Sequence, residues 1–118
     1  MRAMPTDAFV VASEAHAEKD LRVLTIKGAI TYANSPSLVE AVQGSAEKKL
    51  IIVMNEVPSV DSMAVGALVR IYVHCQKLKR RLAFVGLSAR VENVLRLTGV
   101  DPLFDTYATQ AEAEAALE

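Results

Sequence analysis

Asp61 and Ser62 place a carboxylate and a hydroxyl side by side, at the head of the segment Val60-Asp61-Ser62-Met63-Ala64-Val65-Gly66. Before them lies the apolar run Leu50-Ile51-Ile52-Val53-Met54, which is short, β-branched and uninterrupted, as in a buried strand. After them the spacing predicts a helix, with Asp61 or Ser62 able to cap its free N–H groups. A serine hydroxyl therefore stands at the mouth of a helix near the carboxyl end of a central strand. Open α/β sheets commonly place their working groups there.

Other reactive side chains give less. His16 falls in or just after an edge strand, and His74 falls within the helix that follows Ser62. Neither has a carboxylate or serine at a spacing that suggests a triad. His74 and Cys75 are adjacent on a helix, so they point about 100° apart and cannot face each other. Cys75 lies on the stripe expected to face the sheet, which suits an inert buried thiol. Gly86-Leu87-Ser88 offers one glycine before a cap, not a phosphate-cradling loop. No metal constellation, catalytic set or cofactor site is expected, and the chain reads as a protein that is not an enzyme.

The elements that position Ser62 follow from periodicity. Strands are expected at Phe9 to Ser13 and Leu21 to Ile30, joined by the polar turn Glu18-Lys19-Asp20. In the second, Leu24 and Ile26 share one face and Leu21 and Val23 the other, with Thr25 and Lys27 outward. Gly28 would let the chain bend or pass close to a neighbour. Asn34-Ser35-Pro36 opens a helix that runs to about Lys48, with Leu38, Ala41, Val42 and Ala46 inward. Lys49 to Met54 is a third strand, Ser62 to about Arg80 a second helix, and Leu82 to Gly86 a fourth strand. Ser88 starts a third helix with Val91, Val94 and Leu95 inward and Gly99 as its left-handed stop. Leu103 to Tyr107 is a short fifth strand. Thr109 and Glu112 form a capping box for a last helix ending at Leu117. The order is β-β-α-β-α-β-α-β-α, an α/β fold with a mixed sheet and packed helices.

The 118 residues suffice for one domain, expected over 8–118, with 1–7 a flexible N-terminus. Thirteen basic and 14 acidic residues nearly cancel, to a formal charge of −1, which argues against a nucleic-acid partner. With no Trp there is little for base stacking. The apolar runs are strand-sized, so no direct membrane insertion is expected. The first residues lack the apolar stretch of a signal peptide, and a single cysteine precludes an internal disulfide. A cytoplasmic protein fits these features.

The second helix carries two apolar faces. Ala64, Ala67, Leu68, Ile71, Cys75 and Leu78 form the stripe expected against the sheet. Met63, Gly66, Val69 and Val73 form another beside Ser62. Neighbouring helices could cover this second face, or it could receive a partner, with Met63 as an adaptable contact. Lys77, Lys79, Arg80 and Arg81 at the helix end complement its dipole.

The strand followed by Asp61-Ser62-Met63-Ala64-Val65-Gly66-Ala67-Leu68 resembles the STAS domain of anti-sigma-factor antagonists, whose signature is an Asp-Ser-Ser/Thr-Gly-type turn leading into a helix. Gly28-Ala29-Ile30, the Leu95 and Thr98-Gly99-Val100 segment, and Thr109-Gln110-Ala111-Glu112-Ala113 fall where such domains place similar segments. The resemblance implies a STAS-like fold and a regulatory binding module that holds an anti-sigma factor, a serine kinase, and is switched off by phosphorylation of Ser62. It implies no cofactor of the chain's own. Asp61 becomes the acidic neighbour used in recognition, and Asp61, Ser62, Met63, Gly66, Val69 and Val73 the partner-binding set. Met63 stands where a second hydroxyl is common and Ala64 where glycine is usual, so Ser62 is the single hydroxyl of the turn. STAS-like domains also serve as accessory subunits of bacterial lipid-transport ABC complexes, which gives an alternative without a phospho-switch. A monomer or weak homodimer is expected, since an edge strand or the face around Val69 could pair two copies.

The electrostatics of such a switch are general. A phosphate on Ser62 adds about −1.5 to −2 charges at pH 7, which the helix N-terminus favours by about 0.3–1 kcal/mol. Asp61, on the order of 6 Å away, opposes it by about 0.7 kcal/mol per unit charge pair in water and about four times more at an effective dielectric near 20. The solvated domain should tolerate the modification. A docked interface, which desolvates both charges, should not.

Overall fold

A computed structural model describes residues 8–118. The expectation of a flexible segment at 1–7 lies outside the described residues. The elements are β1 (Val10–His16), β2 (Leu21–Lys27), α1 (Ser35–Gln43), β3 (Lys49–Glu56), α2 (Ser62–Leu78), β4 (Arg81–Val85), α3 (Ala89–Leu97), β5 (Thr106–Tyr107) and α4 (Gln110–Leu117). The strands lie side by side in chain order in one five-stranded sheet. β1 and β2 form an antiparallel hairpin, and β2 through β5 run parallel. The hairpin turn is a 3-10 turn at Ala17–Lys19, closed by Asp20 in the left-handed conformation (φ 52°). A short polar side chain tolerates that geometry better than most.

Alternation along the parallel strands creates two buried faces. Leu24, Ile26, Leu50, Ile52, Met54 and Phe84 face α1, α2 and α3, and meet Leu38, Val42, Leu68, Ile71, Val91 and Leu95. Leu21, Val23, Ile51, Ala83 and Val85 point the other way, against Ala113 and Leu117 of α4. Each fully buried Leu or Ile contributes about 1.5–3 kcal/mol. An aromatic cluster seals the far edge: Phe104 packs edge-on to Phe84 at 5.1 Å and to Tyr72 at 6.1 Å between ring centroids.

The expected element order and the two-faced division of β2 are found. Several boundaries differ, each for a local reason. β1 is shifted to Val10–His16, in register with the whole of β2. β2 ends at Lys27 because Gly28 turns with φ +98°, where an added Cβ would stand 2.8 Å from the Ala8 carbonyl oxygen. Ile30 rejoins only as an isolated parallel bridge to Val60. α1 stops at Gln43, with Gly44 donating its N–H to the Glu40 carbonyl, so Ala46 is exposed rather than inward. β5 is reduced to two residues because Pro102 sits in a 3-10 turn at Asp101–Leu103. Leu78, expected against the sheet, is 53% exposed as the last residue of α2. In the Thr109 capping box, Glu112 N–H donates to Thr109 Oγ1, while Glu112 Oε1 accepts from Ala108 N–H, one residue earlier than the usual pairing.

Candidate functional site

The Ser62 turn is built from two loops zipped together at the carboxyl end of the parallel sheet. Gly28 N–H donates to the Glu56 carbonyl at 3.0 Å, Ile30 N–H to Ser59 at 3.0 Å, and Asp61 N–H to Ile30 at 3.1 Å. The loop after β2 and the loop before α2 therefore move as one piece. Val57 and Val60 anchor it from below, both buried.

Of the two candidate caps, Asp61 is the one used. It is extended (φ −77°, ψ 162°), and its Oδ1 accepts from the Ala64 N–H at 2.7 Å. Its Oδ2 accepts from the Tyr32 N–H across the loop junction at 3.0 Å. Both oxygens are committed, one to the helix and one to the neighbouring loop. Ser62 is the first helical residue and is exposed, so its hydroxyl is not the cap. A hydroxyl at this position faces solvent next to the positive end of a seventeen-residue helix.

The remaining residues of the predicted set are brought together on one side of α2. Met63 is 67% exposed, and Gly66 and Val73 are also exposed. Val69 is half-buried and packs on the edge of the main core, so it belongs partly to the fold. An added Cβ at Gly66 would meet nothing within 4 Å. No packing within the described residues requires glycine there, although it weakens an exposed helix interior by about 0.5–1 kcal/mol relative to alanine.

Sequence reasoning missed Tyr32. The residue is 66% exposed and its backbone is one hydrogen bond from Asp61. The signal available was an aromatic residue in an otherwise small and polar loop directly after a strand. Asn34 occupies the N-cap position of α1 without a side-chain capping bond and instead staples that loop: Oδ1 accepts from Thr31 N–H at 2.8 Å and Nδ2 donates to the Ala29 carbonyl at 3.0 Å.

Arg80 is not a free cation at the end of α2. It is 5% exposed, and its guanidinium donates to the carbonyls of Glu47 (2.6 Å) and Val42 (3.1 Å) and to Ser45 Oγ (3.0 Å). His74 Nε2 lies 3.2 Å from Arg80 Nη1. A guanidinium only donates, so Nε2 is the acceptor and the ring is neutral. Burial and then the Arg80 charge hold His74 below its ordinary range. Burial pushes the Cys75 thiol up, which keeps it protonated and unreactive. Among the described residues no group of His, Cys, Asp and Glu is arranged to hold a metal ion, and no helix is long and apolar enough to cross a membrane.

Comparison with known proteins gives the family. A family model, the STAS domain, matches residues 12–113. A curated relative from Thermotoga neapolitana, named as a candidate anti-sigma factor antagonist, is 34% identical over 65 residues. That match spans 55% of this chain and 58% of the relative, so the chain spans less than two thirds of the curated relatives it matches. Among solved structures, an anti-sigma factor antagonist from Mycobacterium paratuberculosis superposes with a TM-score of 0.80 at 23% identity, covering 94% of this chain and 95% of that one. The Bacillus cell fate determinant SpoIIAA in its phosphorylated form gives a TM-score of 0.66 at 17% identity, covering 94% of this chain and 100% of that one. At such identities the structural likeness speaks for the fold. The match over residues 12–113, the mixed sheet and the strand-to-helix turn at Asp61-Ser62 together make this chain a member of the STAS domain family.

Proposed function

We propose that this chain is an anti-sigma factor antagonist, a protein-binding regulator that docks an anti-sigma serine kinase on the α2 face beside Ser62 and is released when Ser62 is phosphorylated. The observation that carries the proposal is the division of labour in the turn. Asp61 caps the helix, which leaves the Ser62 hydroxyl exposed at the helix mouth for modification. Exposed Met63, Gly66 and Val73, with half-buried Val69, supply an adjoining apolar surface. The names of the relatives from Thermotoga and Mycobacterium support the same partner class, and SpoIIAA supplies a fold relative that exists in a phosphorylated form.

The mechanism is electrostatic and steric. In the free domain a phosphate at Ser62 is solvated and favoured by the helix end, so the fold is kept. In the complex the same phosphate and the Asp61 carboxylate would be stripped of water against an apolar face. That costs about 3–4 kcal/mol, or several hundred-fold in affinity. ATP and the phosphoryl transfer belong to the kinase partner.

The test is a pull-down from the source organism with unmodified and Ser62→Asp baits, read by mass spectrometry. A kinase-like anti-sigma factor retained by the unmodified bait and lost by the Asp form supports the proposal. Transporter ATPase subunits retained equally by both would replace it with the accessory-subunit role.

A further inference from the structure

We infer that Tyr32 is an anchor of the docking surface and that Asp61 is the positioning residue that holds it there. The inference rests on the proposed docking of an anti-sigma factor beside Ser62, and it extends that surface from α2 onto the loop between β2 and α1. Tyr32 and Met63 are among the most exposed large apolar side chains of the domain, at 66% and 67%. Chain order separates them by 31 positions, yet Asp61 joins their backbones. One carboxylate oxygen accepts from Tyr32 N–H at 3.0 Å, and the other accepts from Ala64 N–H at 2.7 Å, one residue beyond Met63.

The zipper beneath them removes the freedom that would otherwise blunt such an anchor. Ile30 N–H to Ser59, Asp61 N–H to Ile30, and the Ile30–Val60 bridge fix both loops. Ser35 N–H and Asn34 N–H donate back to the Thr31 carbonyl at 2.9 and 3.2 Å, so the chain is held on the far side of Tyr32 as well. An aromatic ring that is exposed but carried on an ordered backbone loses little entropy on docking. Such residues dominate binding energy at interfaces. The occupant is the same anti-sigma factor, which meets Tyr32 on one side of Ser62 and Met63, Gly66 and Val73 on the other. In this arrangement Asp61 serves recognition indirectly. Both its oxygens accept from backbone N–H groups, and the partner reads the residues that it positions.

The experiment uses the full chain and the anti-sigma factor identified with the unmodified bait, purified as the binding probe. Five variants are compared by calorimetry: Tyr32→Ala, Tyr32→Phe, Asp61→Asn, Met63→Asp and Ser62→Asp. Tyr32→Ala is expected to weaken binding about tenfold or more with an unchanged thermal midpoint, and Tyr32→Phe to stay within about twofold. Asp61→Asn can cap the helix but cannot serve both N–H groups. It is expected to weaken binding and to speed hydrogen exchange of the Tyr32 amide in the free protein. Unchanged affinity of Tyr32→Ala, with binding lost in Met63→Asp, overturns the inference and leaves the α2 docking surface standing. Unchanged affinity of Met63→Asp and Ser62→Asp together overturns the docking surface itself. Exchange of the Tyr32 amide at the rate of an open loop in the unmodified protein overturns the positioning role, with or without a partner.

Discussion

Arg80 Nη1 donates to the Val42 carbonyl at 3.1 Å, which ties the end of α2 to the last turn of α1 across 38 residues of sequence. Its Nε and Nη2 take the Glu47 carbonyl and Ser45 Oγ. One side chain therefore joins the last turn of α1 to the segment that follows it, and supplies the donor for the Glu47 carbonyl. α1 carries the loop of Tyr32 at its start, so this clamp braces the candidate site from behind.

Replacing Arg80 by Met keeps the aliphatic stem and removes the donors. The Glu47 carbonyl is then left without its donor, while the Val42 carbonyl keeps the Ser45 N–H and hydroxyl, and the loss should be about 1–3 kcal/mol, read as a drop of several degrees in Tm. Arg80→Lys should recover less than half, since one ammonium cannot reproduce the planar fork. A loss below about 0.5 kcal/mol for Arg80→Met would show that water replaces the guanidinium.

His74 should make stability depend on pH. Burial, and then the Arg80 charge, lower its proton affinity in the folded protein below the ordinary value of 6.5. The folded state thus binds fewer protons than the unfolded chain. The contribution is fully present above that ordinary value and is lost as pH falls below it toward the folded value. Urea unfolding from about pH 8 to about pH 5.5 should show a decline that His74→Gln lacks, because glutamine stays neutral and still offers Arg80 an acceptor.

The cap assignment separates Asp61 from Ser62. Asp61→Ala should destabilise by about 1–2 kcal/mol, through the lost cap and the abandoned Tyr32 N–H. Ser62→Ala should stay within about 0.5 kcal/mol of the parent. Chemical denaturation of the two variants decides this. Equal losses would mean that the serine hydroxyl shares the capping role.

Gly66 should dissociate stability from binding. Gly66→Ala places a methyl in open space on an exposed helix, which should stabilise the domain by about 0.5–1 kcal/mol. The same methyl on a docked face should weaken partner binding about tenfold by overpacking. Thermal melts and binding isotherms of this variant check both signs. A gain in stability with no loss of affinity would remove Gly66 from the interface.

Much of the fold was legible because its signals are periodic. The apolar run at Leu50–Met54 and the alternation of Leu21, Val23, Leu24 and Ile26 identified the strands and even their faces, since side-chain direction in a sheet follows from parity alone. Element ends were less legible. α1 ends at Gln43, yet Ala46 continues an apparent helical stripe, and nothing local shows that Arg80 will take the Ser45 hydroxyl and the Glu47 carbonyl of the segment after it. β5 shrinks because a Pro102 turn occupies residues with strand-like composition. The Ser62 turn was legible as a cap followed by a helix, but the second bond of Asp61, to the Tyr32 N–H 29 residues away, has no local signal. Tyr32 itself gave no periodic signal. Its place beside Ser62 exists only once Ile30 bridges Val60.

The measurement closest to the central claim is the affinity of the purified anti-sigma factor for unmodified protein and for protein phosphorylated at Ser62, by calorimetry at fixed ionic strength. The unmodified form should bind, and the phosphorylated form should bind several hundred-fold more weakly while keeping the same circular dichroism and nearly the same Tm. Equal affinity of the two forms would contradict the switch and leave Ser62 as an exposed first residue of α2.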